Sequence, residues 1–313
     1  MNDQAGRLRQ LVNERKRAGE EPHPPSNELS ELESASRSRH RGARVLAVTG
    51  GKGGVGKTVI AANLALSYAM SGKRVMMLDA DFGMANLDVV LGLAADKNIR
   101  DVIEGQSTIE DIIVEGPKGL RLIPAGSGIQ SLANLTQSQV TALLSDVLNY
   151  DEHVDLFIID TAAGIAGGVA GILYSADEVI IVAEPEPTAV LDAYAVIKTL
   201  VSKRPDARTY VTVNCVKSEE QGLIVFKNLE SVASRFLEKN LVYLGAIPLD
   251  ERLKDAVKMR RPSVIEFPNS VFSIAIRKVM AAIDRQSSSE EKLSGGISGF
   301  FNRVLNDGMN DRA

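Results

Sequence analysis

The stretch from Thr49 to Thr58 holds the residues with the clearest chemical purpose in the chain. It reads Thr-Gly-Gly-Lys-Gly-Gly-Val-Gly-Lys-Thr and contains the spacing G-x-x-x-x-G-K-T from Gly51 onward. Glycines there let backbone N–H groups wrap closely around a polyphosphate, because no Cβ stands in the way. The lysine after them reaches the β- and γ-phosphates, and the threonine hydroxyl ligates Mg²⁺. The spacing therefore predicts a loop that binds the phosphates of a nucleotide.

The residues around this loop provide the context that it needs. Val45–Val48 is an apolar run typical of a buried strand, and Val59–Ser71 is predicted to form a helix whose positive N-terminal end faces the phosphates. We expect Thr58 to ligate the metal and the whole loop to bind nucleotide. The predicted nucleotide-binding residues of the loop are Gly51, Lys52, Gly53, Gly54, Val55, Gly56, Lys57, Thr58 and Val59.

Carboxylates follow two other apolar runs. Asp79 and Asp81 come directly after Val75–Leu78, and Asp160 ends the run that starts at Leu156. Open α/β sheets bind their ligands at the carboxyl ends of the strands, so these three side chains are expected to meet at one edge. A single carboxylate delivered by a buried strand beside a phosphate-binding loop is typical of a Mg²⁺ site.

Strand and helix patterns alternate along the chain, without the signal of a tight hairpin. This predicts an α/β fold with a doubly wound, mostly parallel sheet. Residues 1–43 are expected to be a tail, residues 44–285 the nucleotide-binding domain, and residues 286–313 a polar spacer and a terminal helix. Further predicted strands and helices are Leu120–Pro124, Val140–Tyr150, Val179–Val182, Thr188–Val201, Tyr210–Val213, Val242–Ile247, Glu251–Met259 and Ser270–Arg285.

Composition narrows the class of protein. The chain has 313 residues, 44% of them hydrophobic, a net charge of −4, and Cys215 as its single cysteine. One cysteine excludes a disulfide framework, and the acidic balance gives no support to a broad nucleic-acid-binding face, so no direct nucleic-acid partner is expected. The polar N-terminus carries no secretory signal, and no apolar run is long enough to span a membrane. We expect a cytoplasmic protein.

The early lysine of the loop, Lys52, resembles the deviant Walker A motif of MinD/ParA-type P-loop ATPases, in the SIMIBI class. The resemblance implies an ATP-dependent homodimer in which Lys52 reaches the partner's nucleotide. It also implies that Asp81 orients the attacking water, that Asp79 and Asp160 serve Mg²⁺, and that Asn86 senses the γ-phosphate. The alternatives are a solvated lysine, and a turn aspartate at position 81 that caps a helix.

The same resemblance implies three further roles nearer the C-terminus. Asn214 is expected to hydrogen-bond the adenine, with a plain turn residue as the alternative. Pro248 and Asp250 lie in a sequence similar to the I-P-x-D that closes over the base, although Asp250 could simply cap the next helix. Asp192 lies at a position like one used at the MinD-type dimer surface, and a solvated face is the alternative.

The N-terminus and the Thr161–Gly164 segment indicate a branch of this class. The segment Asp-Thr-Ala-Ala-Gly-Ile at 160–165 lacks the proline of many relatives and looks like the flagellar branch. The first residues resemble the D-Q-A-x-x-L-R motif of the flagellar number regulators, the FlhG (FleN or YlxH) family, which implies contact with FlhF, a GTPase of the signal-recognition-particle type, and its activation. A disordered leader is the alternative. The implied partner-binding residues are Asp3, Gln4, Ala5, Leu8 and Arg9.

The C-terminal segment has one apolar face at helical spacing. This face suits interfacial membrane binding and resembles the membrane-targeting helix of MinD and FlhG. The alternative is a helix that packs on its own domain or on a protein partner, and ATP could make the two states alternate. The predicted membrane-contacting residues are Leu293, Ile297, Phe300, Phe301, Val304 and Leu305.

Together these features predict an ATP- and Mg²⁺-dependent dimerising ATPase that regulates the number or placement of flagella and attaches peripherally to the inner face of the cell membrane. Flagellar C-ring proteins or a transcriptional activator are further partners that the resemblance admits. The rival interpretations are a ParA-type DNA-segregation ATPase and a MinD-type division-site ATPase, which would share the active site. An iron–sulfur carrier on the same fold is disfavoured by the single cysteine.

Overall fold

The computed structural model describes residues 42–81, 86–124, 153–164, 168–287 and 295–310. The described residues contain eight strands that join into one sheet. Each predicted strand is present, and most extend one to three residues further than the apolar run alone indicates. The strands are β1 (Arg44–Thr49), β2 (Val75–Ala80), β3 (Val114–Glu115), β4 (Arg121–Pro124), β5 (Leu156–Thr161), β6 (Glu178–Ala183), β7 (Arg208–Val216) and β8 (Val242–Pro248).

The sheet has the order β3-β4-β2-β5-β1-β6-β7-β8. All neighbouring pairs are parallel except β3 with β4, which are antiparallel at one edge. The doubly wound, mostly parallel fold is therefore confirmed. The strand β1 lies between β5 and β6, so the carboxyl ends of β1, β2 and β5 meet at one edge of the sheet.

Helices cover both faces of the sheet. The helix Glu219–Leu237 was not among the predicted elements, although its buried residues Gly222, Val225, Leu229 and Ala233 follow helical spacing. The predicted helix 140–150 lies outside the described residues. The helices are α1 (Lys57–Met70), α2 (Leu87–Leu91), α3 (Ile99–Ile103), α4 (Ile109–Ile112), α5 (Gly168–Ser175), α6 (Pro187–Lys203), α7 (Glu219–Leu237), α8 (Glu251–Lys258), α9 (Ser263–Glu266), α10 (Val271–Ser287) and α11 (Gly296–Asn310).

Alternation along the buried strands produces two hydrophobic cores, one on each face. In β5, Phe157 and Ile159 belong to the core under α5, α6, α7 and α11, whereas Ile158 belongs to the core under α1 and α10. A strand covered on both faces needs apolar residues at every position, which is why the β5 sequence is continuously hydrophobic until Asp160. The two layers fix β5 and β1 firmly, and these strands position the site described below.

The C-terminal helix α11 packs on its own domain, which is the second of the two arrangements that its sequence allows. Ile297, Phe300 and Phe301 are at most 1% exposed. The rings of Phe300 and Phe157 meet edge-to-face, with centroids 5.8 Å apart. An exposed lipid-binding face is thus not what this structure contains, because the groove beside α5 and β1 buries the same apolar residues.

The rest of α11 corrects the simple division into apolar and polar faces. Ser298, which lies outside the predicted apolar set, is buried as well, and Arg303 is hydrogen-bonded to the domain. Val304 is partly buried against the core, whereas Leu293 and the side chain of Leu305 lie outside the described residues. Within the described part of the chain, no helix is both long and apolar enough to cross a bilayer.

Candidate nucleotide-binding site

The predicted phosphate-binding loop connects the carboxyl end of β1 to the first residue of α1. Gly54 and Gly56 have φ angles of 85° and 88°, a region that side chains with a Cβ rarely adopt. Gly51 is excluded from substitution for another reason, since a Cβ there would lie 2.2 Å from the backbone carbonyl carbon of Asp192. The open backbone of the loop and the N-terminus of α1 together form a cradle for anionic phosphates.

Lys57 and Asp160 form the charged floor of this cradle. Lys57 is only 6% exposed and Asp160 only 1%. Lys57 Nζ donates a weak hydrogen bond to the Lys52 carbonyl at 3.4 Å. Burial lowers the pKa of Lys57, although the charge of Asp160 opposes this shift. Burying two charges that are not closely paired lowers the stability of the fold. Lys57 and Asp160 are therefore better explained by ligand binding than by stabilisation of the domain.

The carboxylate of Asp160 fits a metal ligand. Neither of its oxygens has a hydrogen-bond partner in the structure, although both are buried. Burial raises the pKa of Asp160 to about 7, an effect that the neighbouring Thr58 and Lys57 partly oppose. An orphaned buried carboxylate beside a threonine hydroxyl is the donor set that Mg²⁺ prefers, which makes Thr58 and Asp160 the residues suited to hold the ion.

Asp79 lies opposite Asp160 in the register of β2 and β5. Its two oxygens accept the backbone N–H groups of Asp81, at 3.1 Å, and of Leu87, at 3.3 Å. Asp79 therefore fixes both ends of the 82–86 segment, and burial raises its pKa to about 6. Its predicted role at the Mg²⁺ site stays a prediction. Asp81 follows at the strand end and is half-buried.

Lys52 stands on the rim of the site. Its ammonium group pairs with Glu186 at 2.9 Å, and both side chains are largely exposed. The hydrogen bond to Glu186 raises the pKa of Lys52, with further contributions from the charges of Glu184 and Asp192. Glu186 precedes α6 and was not among the predicted site residues. Its only signal in the sequence is an acidic residue between two prolines.

Asn214 and Asp250 have structural partners that their predicted roles did not include. Asn214 Nδ2 donates to the Val55 carbonyl at 2.9 Å, so this side chain braces the phosphate-binding loop. Asp250 accepts the N–H groups of Arg252 and Phe272 at 2.9 and 3.0 Å. Its carboxylate thus caps α8 and ties it to α10, as the alternative interpretation had it. A base contact through backbone groups near Pro248 stays a prediction.

The remaining predicted residues are close to the same edge. Asn86 is exposed and precedes α2, where its side chain makes no capping hydrogen bond. Gly164 donates its N–H to the Gly50 carbonyl at 3.0 Å, so the segment after β5 touches the phosphate-binding loop directly. Thr161 Oγ1 donates to the Val48 carbonyl at 3.1 Å. The N-terminal motif at residues 3–9 lies outside the described residues.

Comparison with known proteins agrees with this geometry. Residues 43–209 match the protein family described as an AAA domain. The chain is 43% identical over 241 residues to the antiactivator FleN of Pseudomonas aeruginosa, which covers 77% of this chain and 86% of the relative. It is 33% identical over 308 residues to the flagellum site-determining protein YlxH of Helicobacter pylori, which covers 97% and 99% respectively.

The chain belongs to the MinD/ParA family of P-loop ATPases. Within that family its sequence resembles the flagellar regulators FleN and YlxH. The solved MinC:MinD cell division complex of Aquifex aeolicus is 29% identical, with a TM-score of 0.63 over 81% of this chain and 100% of that one. MinD of Pyrococcus horikoshii complexed with Mg-ADP has a TM-score of 0.64 at 24% identity, which supports the fold.

Membership of this family indicates the reaction in which the buried charges of the site take part. The MinD/ParA ATPases hydrolyse ATP, and this chain is accordingly an ATPase. The phosphate-binding loop, Lys57, Thr58 and Asp160 come together as the sequence predicted. The Lys52 side chain lies apart from this group, exposed and paired with Glu186.

Proposed function

We propose that this ATPase is a dimerising switch that sets the number or position of flagella, with its C-terminal helix and N-terminal segment as outputs. The observation that carries the proposal is the position of α11. This helix packs on α5, and α5 begins four residues after Gly164, which donates to the phosphate-binding loop. The short stretch of chain from Gly164 to α5 therefore links the nucleotide-binding edge of the sheet to the C-terminal helix α11.

The chemistry at the nucleotide edge follows from the side chains in place. Thr58 and Asp160 would hold Mg²⁺, which when bound neutralises charge on the phosphates. Lys57, already desolvated, supplies a positive charge to the β- and γ-phosphates at little further cost. Asp81, at the end of β2, orients the attacking water, and the clamp of Asp79 on its N–H keeps it in position.

Dimerisation transfers Lys52 from Glu186 to the phosphates bound by a second subunit. Solvent screens an exposed ion pair such as Lys52–Glu186 strongly, so breaking it opposes assembly only weakly. Sedimentation velocity with Mg-ATP tests this step. We expect Lys52→Ala to bind ATP and stay monomeric, whereas the exposed control Lys227→Ala dimerises. A dimer of the Lys52→Ala protein would remove the proposed role in trans.

ATP then controls membrane attachment by releasing α11. The residues that the groove now buries, Ile297, Phe300 and Phe301, are the ones that would enter a lipid surface. Burying each such side chain contributes about 1.5–3 kcal/mol, and leaving the groove costs a similar amount, so one released helix binds weakly. A dimer presents two helices, and linked binding raises avidity by about 10²–10⁴-fold. Attachment is therefore expected in the ATP state.

Co-sedimentation with anionic phospholipid vesicles tests this output. We expect binding with Mg-ATP and little with Mg-ADP. Phe157→Ala removes the ring against which Phe300 packs and should raise binding with ADP, because it weakens docking without changing the helix. Phe272→Ala is the matched control, since it removes an equally buried ring from the core on the other face. Equal binding by all proteins in both nucleotides would refute nucleotide-controlled release.

The N-terminal segment is the second output. We infer that residues 1–15 activate a GTPase of the signal-recognition-particle type, on the strength of the motif at Asp3–Arg9 and the similarity to the flagellar regulators. The test is GTP turnover by such a GTPase with a peptide of residues 1–15. A peptide with Leu8 and Leu11 changed to serine is the control. Stimulation by neither peptide, together with no binding, would reject the linear-motif hypothesis.

A further inference from the structure

The backbone at Gly42 lies directly against the first residue of α11. A Cβ built on Gly42 would lie 2.7 Å from the Gly296 Cα and 2.8 Å from the Gly296 amide nitrogen. Both atoms belong to the backbone, which has no flexible end that could move aside. The next residue, Ala43, is 1% exposed and shares a hydrophobic core with Ile297 and Phe301. The docked helix therefore needs a glycine at position 42.

Asp177 makes a second connection between the same two parts of the chain. One of its carboxylate oxygens accepts the Val45 N–H at 3.2 Å, and the other accepts Arg303 Nη2 at 3.3 Å. The Asp177 side chain is 8% exposed, so solvent screens this ion pair little. Arg303 also donates from Nε to the Ser175 carbonyl at 2.9 Å, which fixes its guanidinium in place.

The segment Gly42–Val45 thus contacts α11 directly at Gly296 and is linked through Asp177 to Arg303, about two helical turns further along the helix. This segment is where residues 1–41 join the domain. The N-terminal segment and the C-terminal helix, at opposite ends of the sequence, therefore leave the folded domain at one place. Neither contact involves the nucleotide site, which lies at the other end of β1.

We propose that the docked helix α11 and the root of the N-terminal segment, Gly42–Ala43, open and close as one unit, while Arg44 and Val45 stay in strand β1. Release of α11 frees the root, and a force or binding event that displaces the root loosens α11. The inference rests on the proposed function, in which the two segments have different binding partners. Since coupling free energies are reciprocal, lipid binding by the helix and partner binding by the N-terminal segment would strengthen one another.

The test compares two readouts on the full chain with Mg-ADP and without lipid. Hydrogen exchange of amides in 296–304 reports undocking of α11, and the rate of tryptic cleavage after Arg41 reports release of the root. Arg303→Ala breaks the Asp177 connection without touching the root. We expect it to raise both readouts about tenfold, as the loss of a partly buried charged hydrogen bond does to an equilibrium. Gly42→Ala should raise both at least as much.

Two control variants match these changes. Arg100→Ala removes an exposed pair with Glu104 far from α11, and Gly171→Ala adds a methyl group on α5 where no atom lies within 4 Å. Both should leave the two readouts unchanged. A thermal melt and a measurement of ADP binding show whether Gly42→Ala is folded. If it is not, Arg303→Ala alone tests the coupling.

The outcomes separate this inference from the function on which it rests. Faster exchange in Arg303→Ala with unchanged cleavage after Arg41 would overturn the coupling, because α11 would then leave without the root. Coupled readouts together with no binding to vesicles of phosphatidylglycerol and phosphatidylcholine would support the coupling and reject the membrane output. Vesicles that accelerate cleavage after Arg41 in the presence of ATP, but not of ADP, would support both.

Discussion

Buried carboxylates at the two ends of the central strands have opposite surroundings. At the carboxyl ends, Asp160 is 1% exposed and neither of its oxygens has a hydrogen-bond partner. At the amino ends, Glu178 is 4% exposed but pairs with Arg44, accepts a hydrogen bond from Tyr210 Oη at 2.8 Å, and lies 3.6 Å from Arg208. The chain supplies hydrogen-bond and ionic partners for the Glu178 carboxylate at one edge of the sheet, but no hydrogen-bond partner for the Asp160 carboxylate at the other.

This difference separates a structural carboxylate from a functional one. A buried carboxylate that its own chain satisfies holds elements together, and Glu178 connects β1, β6 and β7 in this way. A buried carboxylate that its own chain leaves unsatisfied destabilises the fold unless a cation binds, which is the property expected of a metal ligand. Mutations at the carboxyl ends of the strands should therefore affect mainly ligand binding, whereas mutations at the amino ends should affect mainly folding.

The largest expected effect is on the nucleotide edge. Lys57→Ala should weaken ATP binding about 100-fold or more, because it removes a desolvated positive charge aimed at the phosphates, while thermal stability changes little. Isothermal titration calorimetry with Mg-ATP measures this, with Lys227→Ala as the exposed control. ATP affinity within threefold of the native protein would show that Lys57 is not a phosphate ligand.

Glu178→Gln should have its effect on folding instead. Loss of the charge leaves the buried Arg44 with only the half-exposed Asp284, 3.8 Å away, as an ionic partner, and breaking a buried pair costs about 3 kcal/mol or more. Urea denaturation should show this decrease both with and without Mg-ATP, because the residue is remote from the site. A decrease that Mg-ATP abolishes would place Glu178 in the nucleotide-binding mechanism and contradict the comparison.

Asp160→Asn should change stability in the opposite direction. Burial raises the pKa of Asp160 to about 7, well above its value in an unfolded chain, so its favourable contribution is complete below about pH 4 and is lost as the pH rises through 7. The nucleotide-free variant should be more stable than the native protein at pH 8, by about 1–3 kcal/mol, and should lose Mg²⁺-dependent ATP hydrolysis. Urea denaturation between pH 5 and 8 measures the first effect, and destabilisation at pH 8 would refute it.

Cys215, near the nucleotide edge, should differ from a free cysteine in its reactivity. Burial, followed by the charge of Glu184, raises the pKa of its thiol to about 11. At pH 8 the thiol is therefore almost fully protonated, and alkylation by iodoacetamide should be about 100-fold slower than for a free cysteine. The rate should increase about tenfold per pH unit up to about pH 10. A plateau below pH 9 would show that the acidic rim does not act on this thiol.

The nucleotide edge was largely predictable from the sequence, because its residues are consecutive or follow strands directly. Residue type and position in the sequence are enough to predict the roles of the glycines, Lys57, Thr58 and Asp160. The roles of Asn214 and Asp250 as braces were less accessible, since each depends on a partner distant in sequence. The same is true of Glu186, which lies 134 residues from Lys52.

The opposite edge was not predictable for a physical reason. The apolar spacing of Ile297, Phe300 and Phe301 fits a lipid surface and a protein groove equally well, and only the folded position of Phe157 distinguishes them. Similarly, the contact of Gly42 with Gly296 joins residues near the two ends of the chain, and no local pattern announces it. Periodicity identifies an amphipathic face, whereas tertiary structure decides what covers that face.

In the proposed function, the nucleotide site controls the docking of α11. Hydrogen exchange in residues 296–304 of the Asp81→Ala protein, which should retain ATP because water positioning is lost, tests it most directly. We expect strong protection with Mg-ADP, as the burial of Phe300 and Phe301 requires, and a loss of that protection with Mg-ATP. Equal protection of α11 with both nucleotides would contradict it.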